Sequence, residues 1–207
     1  MKNIKDIYKG LLSLINYPHI SIDFLKDLKG PLLLHISDTP SEIYNNIFKI
    51  IDIIKPQYIV HTGDLADNIK LKIQKDRINS YCKGVKELVE GLEKNDSKVY
   101  YLMGNHDDYE VVSRFTKKGE ILEEGLLPID NLTITVGHYY KEYSYKSDFN
   151  LYGHSFEPGH YIKDGTIGLN GVLNINIIDL SNKEVFHLNY PNGTNHLRCM
   201  KTKKIGL

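Results

Sequence analysis

The sequence has few cysteines, no excess of charge of either sign and no long apolar run, and each absence excludes a class of protein. Cys82 and Cys199 are the two cysteines among 207 residues, and their separation predicts no disulfide framework and a reducing, cytoplasmic environment. Lys and Arg together number 26, as do Asp and Glu. This balance argues against a broad basic surface for extended nucleic acids, although not against nucleotide substrates.

No run of residues reaches the roughly 18 apolar positions that a membrane-spanning helix needs. The short run GLLSLI at residues 10–15 is not followed by a small-residue cleavage site, so we expect neither a signal peptide nor a membrane anchor. Hydrophobic residues make up 41% of the chain. That is enough for one sizeable core, and we expect residues 1–207 to form a single domain.

The first half of the chain alternates between predicted strands and predicted helices. Continuous apolar runs predict buried strands at 31–37 and 57–64, and a strand that runs into a loop at 98–108. Apolar residues spaced three and four apart predict helices at 4–15, 41–55 (with Ser41 as the cap), 77–94 and 109–118. Short connections in such an alternation predict a parallel sheet that is covered on both faces.

After residue 120 the pattern changes to short strands separated by Gly, Asn and Ser. The predicted strands lie at 131–140, 149–156, 171–180 and 184–191. We expect them to form or extend a second sheet. The fold class predicted from the residues is therefore one α/β domain built on two sheets.

Five predicted strands end in small polar clusters of similar chemistry. The clusters are SDTP (37–40), GDLAD (63–67), GNHDD (104–108), GH (137–138) and GHSF (153–156). Each alone is weak, because Asp after a strand is often a helix cap and Gly-His is often a surface turn. Ligands of α/β sheets bind beyond the carboxyl ends of strands, however, and glycine lets the backbone approach closely. Together the five clusters predict one shared site.

In this order the clusters resemble the pattern of the calcineurin-like metallophosphoesterases, over residues 38–156. That pattern runs Asp-x-His, Gly-Asp-x-x-Asp, Gly-Asn-His-Asp/Glu, Gly-His and Gly-His-x-His. The resemblance implies a two-sheet β-sandwich flanked by helices, in four α/β/β/α layers, which agrees with the order of predicted elements. It also implies hydrolysis of phosphomonoesters or phosphodiesters by metal-activated water, with two metal ions.

One metal centre implied by the resemblance has all its ligands here. Asp64 matches the carboxylate that bridges both metal ions, and Asn105, His138 and His154 match the other ligands of one ion. Imidazoles and an amide oxygen beside a carboxylate suit Mn, Fe, Zn or Ni better than Ca. We therefore expect one firmly bound divalent metal ion, with manganese among the candidates.

The other centre lacks half of its ligands. The resemblance assigns it Asp38, Asp64 and two histidines, but Pro40 and Phe156 occupy the two histidine positions. Residues two apart on a strand point the same way, and proline offers no donor atom there. Two carboxylates and water would hold Mg or Mn only loosely, so we expect the second metal ion to be weakly bound or absent.

Four other residues are candidates to replace the missing histidines. His35 and His61 lie three residues before Asp38 and Asp64, which places them on the opposite strand face and predicts packed histidines. Glu157 and His160 lie in a Gly/Pro turn from which they can fold back towards the site.

The resemblance gives His106 the role of contacting the phosphoryl group and assisting the leaving oxygen. Asp107 is expected to orient the His106 ring and hold it protonated; the alternative is a loop histidine beside a capping Asp. Asp67 is expected to support its loop rather than bind metal. The tyrosine-rich segment 137–146 predicts either an aromatic platform beside a phosphate-attracting lysine or an amphipathic edge strand.

Two functions from different classes follow. The first is a metal-dependent phosphoesterase that acts on a small phosphorylated substrate such as a nucleotide, away from membranes. The second is a non-catalytic scaffold of the same fold that binds a phosphorylated ligand or a protein partner. The complete GNHD cluster favours the enzyme, whereas Pro40 and Phe156 favour the scaffold. The sequence gives no signal for an oligomeric state.

Overall fold

A computed structural model describes residues 20, 25, 26 and 28–199. The helix predicted at 4–15 lies outside the described residues. The described strands β1–β6 are Leu32–Ile36, Tyr58–His61, Lys98–Leu102, Glu120–Leu122, Gly125–Ile129 and Leu132–Val136. Strands β7–β11 are Phe149–Tyr152, Tyr161–Lys163, Thr166–Asn170, Ile175–Asp179 and Glu184–Leu188. The helices α1–α4 are Tyr44–Ile54, Ile78–Leu92, Tyr109–Phe115 and Thr194–Leu197.

The first sheet is mixed, with the strand order β11-β10-β1-β2-β3-β4. Strands β1 to β4 run parallel to their neighbours, but β10 pairs antiparallel with β1. The prediction that the strands of the first half pair in parallel is confirmed, but the placement of β10 and β11 in a second sheet is wrong. All five residues of β10 are buried, as its position beside the central strand β1 requires.

The second sheet has the order β5-β6-β7-β9-β8. Strands β6, β7 and β9 pair parallel, and antiparallel strands lie at both edges. The sequence did not predict β4, β5, β8 or β9. Two of these, β4 and β8, are three residues long and too short for an alternating pattern to mark them.

Successive side chains of β1 show how the layers form. Leu32, Leu34 and Ile36 belong to a core cluster on the helix side of the first sheet, whereas Leu33 lies in the cluster between the two sheets. The period of two in a strand separates these faces. Helix α2 buries Tyr81, Val85, Leu88, Val89 and Leu92, the three- and four-residue spacing of an amphipathic helix. The prediction of two sheets flanked by helices is confirmed.

Helix α1 begins without the predicted serine cap. A 3-10 turn at Ser41–Ile43 precedes the helix, and no side chain caps either element. The Ser41 hydroxyl instead accepts a hydrogen bond from the Asn68 side chain at 2.9 Å. No helix of the described residues is long and apolar enough to cross a lipid bilayer.

Arg198 is fully buried behind the loop that follows β1. Its Nε donates to the carbonyl oxygen of Asp38 at 2.6 Å, and its terminal nitrogens donate to the carbonyl oxygens of Ser37 at 3.1 Å and Val172 at 2.7 Å. Its guanidinium also lies 4.2 Å from the centre of the Tyr190 ring. One side chain thus holds the strand end that carries Asp38.

We expect Arg198→Met to lower the free energy of unfolding by about 2–4 kcal/mol, because the substitution leaves buried carbonyl oxygens without donors. Urea denaturation followed by circular dichroism measures this change. Arg114→Met is the control, since Arg114 is exposed on α3. Equal stability of the two variants would contradict the role of Arg198.

Candidate metal centre

The loops after β1, β2, β3, β6 and β7 meet at one end of the two sheets. Backbone hydrogen bonds join the first two loops, from Asp38 N–H to the Gly63 carbonyl at 3.0 Å and from Thr39 N–H to the Asp64 carbonyl at 3.1 Å. Asp38, Asp64 and His154 have φ angles of 50°, 55° and 66°. Residues other than glycine rarely adopt this left-handed conformation, and such strain concentrates at functional sites.

Two glycines permit the close approach of these loops. Gly63 has a φ of +99°, and a Cβ atom there would lie 2.6 Å from the Nδ1 atom of His138. A Cβ atom on Gly104 would collide with the Asp64 carboxylate. The expectation that glycine allows close approach at these clusters is confirmed at both positions.

The structure brings together the four side chains that were expected to hold the firm metal ion. His138 Nε2 lies 3.1 Å from Asn105 Oδ1, 3.2 Å from His154 Nδ1 and 3.7 Å from Asp64 Oδ2. Ligand atoms of Asp64, His138 and His154 all lie within 4.8 Å of one another. A single cation can therefore reach donors from four separate loops.

The hydrogen bonding of His138 fixes which ring nitrogen faces this group. Its Nδ1 lies 2.8 Å from the Thr62 carbonyl oxygen, which can only accept, so Nδ1 carries the proton. With that proton on Nδ1, the other ring nitrogen, Nε2, is the one that faces the amide oxygen of Asn105. Such a carbonyl contact is how proteins orient a histidine that ligates a metal ion. Such an arrangement leaves Nε2 available to a cation.

The electrostatics of the group also suit a cation. Burial raises the pKa of Asp64 well above its ordinary value, and the charges of Asp107, Asp38 and Asp67 raise it further. Burial and the neighbouring His138 lower the pKa of His154. The site thus combines a neutral His154 imidazole with a buried carboxylate at Asp64, and buried carboxylates need positive partners. The donor set fits a divalent transition metal ion.

A second group consists of the carboxylates of Asp38, Asp64 and Asp67. One oxygen from each lies within 4.8 Å of the others, and all three residues are buried. Asp38 accepts hydrogen bonds from the Ser37 hydroxyl at 2.6 Å and from the His154 N–H at 3.0 Å. This group is the acid half of the expected second centre, extended by Asp67.

Asp67 was expected to support its loop, and its Oδ1 does accept a hydrogen bond from Lys70 of the same loop. Its Oδ2, however, is buried without a hydrogen-bond partner. Burial, and then the charge of Asp38, raise the pKa of Asp67 to about 7, against the opposing effect of Lys70. Sequence reasoning missed Lys70; its three-residue spacing from Asp67 was the available signal.

No histidine stands at positions 40 and 156. Pro40 is buried at the start of the 3-10 turn, and Phe156 is half-buried. His160 does not fold back as a ligand, because its ring nitrogens contact the Asn174 side chain at 3.1 Å and the Asn170 N–H at 3.1 Å.

His35 and His61 are packed inside the protein, as expected from their position on the opposite strand face. Both are fully buried. His35 contacts the Thr62 hydroxyl at 3.0 Å, and His61 contacts the Thr39 hydroxyl at 2.8 Å. Burial lowers the pKa of each ring to about 3, so both are neutral structural residues.

The expected contact between Asp107 and the His106 ring is wrong. Asp107 accepts hydrogen bonds from the N–H groups of Asp64 at 2.7 Å, Leu65 at 2.9 Å and Gly104 at 2.7 Å, and from the Tyr81 hydroxyl at 2.8 Å. Its carboxylate is used to lock the loops after β2 and β3 together. It therefore positions the residues that carry Asp64 and Asn105.

His106 is half-buried, and its Nδ1 is buried without a hydrogen-bond partner. Burial first, and then the charge of Lys70, lower the pKa of His106 to about 4. The expectation that this ring is held protonated is therefore wrong. A neutral imidazole can still donate one N–H and accept at the other nitrogen.

The tyrosine-rich segment 137–146 contains no strand, so the edge-strand alternative is wrong. Tyr139 instead lies over the candidate centre, with its ring centre 4.3 Å from that of His154 and 5.0 Å from that of His138. Its hydroxyl donates to Asn105 Oδ1 at 3.3 Å. Because Tyr139 is 48% exposed, it forms an accessible wall of the site.

Comparisons with known proteins agree with this geometry. A family model described as calcineurin-like phosphoesterase matches residues 31–198. A comparison with curated proteins gave no match.

Solved structures similar to this chain include three proteins. An archaeal phosphodiesterase is 18% identical, with 76% of this chain and 99% of that chain covered and a TM-score of 0.55. Yfce, a phosphoesterase from E. coli, is 15% identical, with 78% and 100% covered and a TM-score of 0.53. Vps29 from Entamoeba histolytica is 13% identical, with 77% and 99% covered and a TM-score of 0.46.

We expect Asp107→Asn to destabilise the fold by about 1–3 kcal/mol, because an amide cannot accept all the hydrogen bonds that the carboxylate receives. The same change should weaken metal retention by displacing the loops that carry Asp64 and Asn105. Thermal unfolding and elemental analysis measure the two effects.

Asp108→Asn is the matched control for Asp107→Asn. Asp108 caps α3 by accepting a hydrogen bond from Val111 N–H at 3.0 Å, and asparagine caps a helix as well as aspartate does. If Asp107→Asn matched this control in stability and metal content, Asp107 would not lock the loops.

Proposed function

The chain belongs to the calcineurin-like phosphoesterase family, and we propose that it is a metal-dependent hydrolase of phosphate esters. The observation that carries this proposal is the convergence of Asp64, Asn105, His138 and His154 on one point, with His106 beside them. These donors come from loops far apart in sequence, and packing alone does not require four ligand side chains to gather at one point. The convergence supports a site built for a cation.

In this proposal the four converging side chains hold one divalent metal ion, of which Mn, Fe, Zn and Ni fit the donor set. Such an ion acidifies a bound water molecule and offsets negative charge on the phosphoryl group. The Thr62 carbonyl keeps His138 in the ligating tautomer. The N–H of His106 donates to Asp64 Oδ1 at 2.9 Å, which fixes one carboxylate oxygen and leaves Oδ2 towards His138.

His106 is the residue we assign to the phosphoryl group and the leaving oxygen. It directly follows the candidate ligand Asn105 and keeps one ring nitrogen without a protein partner. That nitrogen, Nδ1, is buried and has no hydrogen-bond partner, whereas a structural histidine such as His61 has both ring nitrogens satisfied. We infer that His106 acts as a neutral hydrogen-bond donor.

We propose that the second metal centre is degenerate. Asp38 and Asp64 remain, but Pro40 and Phe156 supply no ligand atom. Only one firmly held metal ion is therefore expected, and the substrate's charge must be offset in part by other groups.

For the substrate we propose a small phosphate ester that carries an aromatic group, such as a nucleotide with its base. Tyr139 stands at the opening of the site with nearly half of its surface exposed. A base or phenyl ring that stacks on Tyr139 would place an attached phosphate next to His154 and Asn105. Stacking of a base on an aromatic side chain contributes about 1–3 kcal/mol.

The alternative proposal is a non-catalytic scaffold that binds a phosphorylated ligand or a protein partner. The substitutions at positions 40 and 156 favour it, because they remove ligands that the two-metal reaction uses. An exposed apolar patch at Phe156 would have supported it further, but Phe156 is half-buried. The GNHD cluster around His106 is complete, and this makes the hydrolase the better-supported function.

We expect the protein to hydrolyse bis-p-nitrophenyl phosphate or p-nitrophenyl phosphate in the presence of Mn²⁺. His106→Ala should lower kcat by about a hundredfold through loss of the leaving-group contact, without changing metal content. Asn105→Ala should lower both kcat and metal content. Release of p-nitrophenolate and elemental analysis are the readouts, with His196→Ala as the control because His196 lies on α4 and is exposed.

Absence of metal-dependent hydrolysis would refute the enzyme. If the same protein still retained one metal ion and bound inorganic phosphate, the scaffold would be the supported function.

The aromatic platform predicts a separate effect on substrate binding. We expect Tyr139→Ala to raise KM for p-nitrophenyl phosphate by about tenfold while changing KM for an alkyl phosphate little, because only the aryl ester stacks. Tyr145→Ala is the control, since Tyr145 is an exposed tyrosine of the same loop that packs on Tyr143. Equal effects of Tyr139→Ala on both esters would argue against stacking.

A further inference from the structure

Lys70 reaches into the acidic side of the candidate centre. Its ammonium forms an ion pair with Asp67, and its side chain is 19% exposed while that of Asp67 is fully buried. The Asp67 N–H also donates to the Thr39 carbonyl at 3.1 Å, so the Lys70 loop is tied to the loop that carries Asp38. Lysine side chains are seldom so covered unless they are paired.

The carboxylates around Lys70 lack sufficient positive partners. Asp38, Asp64 and Asp67 each place one oxygen within 4.8 Å of the others, and Asp67 Oδ2 has no hydrogen-bond partner. Adjacent buried carboxylates repel each other unless a cation neutralises them. The resemblance implies a second metal ion as that cation, yet Pro40 and Phe156 have removed its two imidazole ligands.

We propose that the Lys70 ammonium serves as the second cation of the site, in place of a second metal ion. This assignment rests on the proposed phosphoesterase function for its role in catalysis, but not for its role in the fold. Lysine provides a compact point charge with three donors and needs no imidazole ligands. It can therefore neutralise the acids where the ligand set for a metal ion is incomplete.

The position of Lys70 also suits an anionic substrate. Its ammonium lies beside Asp67, one of the three carboxylates that face the candidate centre. An ammonium at this edge of the site would attract a phosphoryl oxygen, as lysines do in other phosphate sites. Lys70 would thus assist binding of the phosphate group.

Metal stoichiometry tests the assignment without reference to activity. Mn²⁺ is titrated into metal-stripped protein by calorimetry, and bound Mn is counted after gel filtration. We expect about one tight Mn²⁺ per chain for the wild type, and about two for Lys70→Met, because removing the ammonium frees three carboxylates for a hard cation. The double variant Lys70→Met with Asp67→Asn should return to about one, since it removes the third carboxylate.

Lys72→Met is the matched control, because it removes the same charge from an exposed position two residues further along the loop. Its stoichiometry should equal that of the wild type. Circular dichroism verifies folding, and Lys70→Gln replaces Lys70→Met if the latter does not fold. Two tight Mn²⁺ ions per wild-type chain would overturn the assignment. One tight ion per chain in both Lys70→Met and Lys70→Gln would also overturn it.

The hydrolysis assay separates this assignment from the proposed function. At Mn²⁺ concentrations that fill only the first site, Lys70→Met should lower kcat/KM by about tenfold or more, and excess Mn²⁺ should restore part of the loss. Altered stoichiometry without hydrolysis by any variant would leave Lys70 as the second cation and refute the enzyme. If the wild type hydrolyses the substrate but Lys70→Met binds the same number of Mn²⁺ ions as the wild type, only the role of Lys70 would be refuted.

Discussion

The mutual repulsion of buried carboxylates is the constraint on which the rest of this site depends. Asp38, Asp64 and Asp67 are all buried at one end of the sheets, with oxygens within 4.8 Å of one another. Each carboxylate accepts hydrogen bonds that partly offset its charge. Asp38 accepts from the Ser37 hydroxyl and the His154 backbone amide. Asp64 accepts from the His106 backbone amide, and Asp67 accepts from Lys70. Uncompensated, such charges would cost several kcal/mol each. The hydrogen bonds reduce that cost, and the ligand atoms of His138 and Asn105 beside Asp64 provide a position where a cation would offset the remainder.

The backbone around the site is shaped by the same requirement. Left-handed conformations at Asp38, Asp64 and His154 are unfavourable by themselves, and they persist only where surrounding contacts hold them. Two residues supply many of these contacts without facing the metal position. Asp107 gathers amides from the loops after β2 and β3, and Arg198 gathers carbonyl oxygens from the loop after β1. Asp107 uses its negative charge to bind N–H groups, and Arg198 uses its positive charge to bind carbonyl groups.

The sequence predicted the elements that local pattern determines and missed those that long-range pairing determines. The apolar run of β1 and the strand-end clusters could be predicted, because burial and metal binding restrict which residue types can occupy those positions. The position of β10 in the first sheet could not be predicted, since the residue pattern of a strand does not determine which sheet it joins. Asp107 was assigned to His106 because the two are adjacent in sequence, but successive loop residues point in different directions and only the fold decides which amides a carboxylate meets. Lys70 was missed because an irregular loop has no periodicity from which a three-residue spacing gains meaning.

The acids of the degenerate centre bear on the choice between enzyme and scaffold. A scaffold that needed only the shape of this fold would be more stable with neutral side chains at positions 38, 64 and 67, because buried acids in contact are costly without cations. Burial of these acids is energetically tolerable only if cations neutralise them, with Lys70 on one side and a metal ion on the other. Positive charges so placed, beside an accessible Tyr139 and the His106 ring, form a surface that attracts an anion and can donate a hydrogen bond to it. Loss of the histidines at positions 40 and 156 therefore changes which cation completes the site, and does not by itself remove the basis for phosphate chemistry.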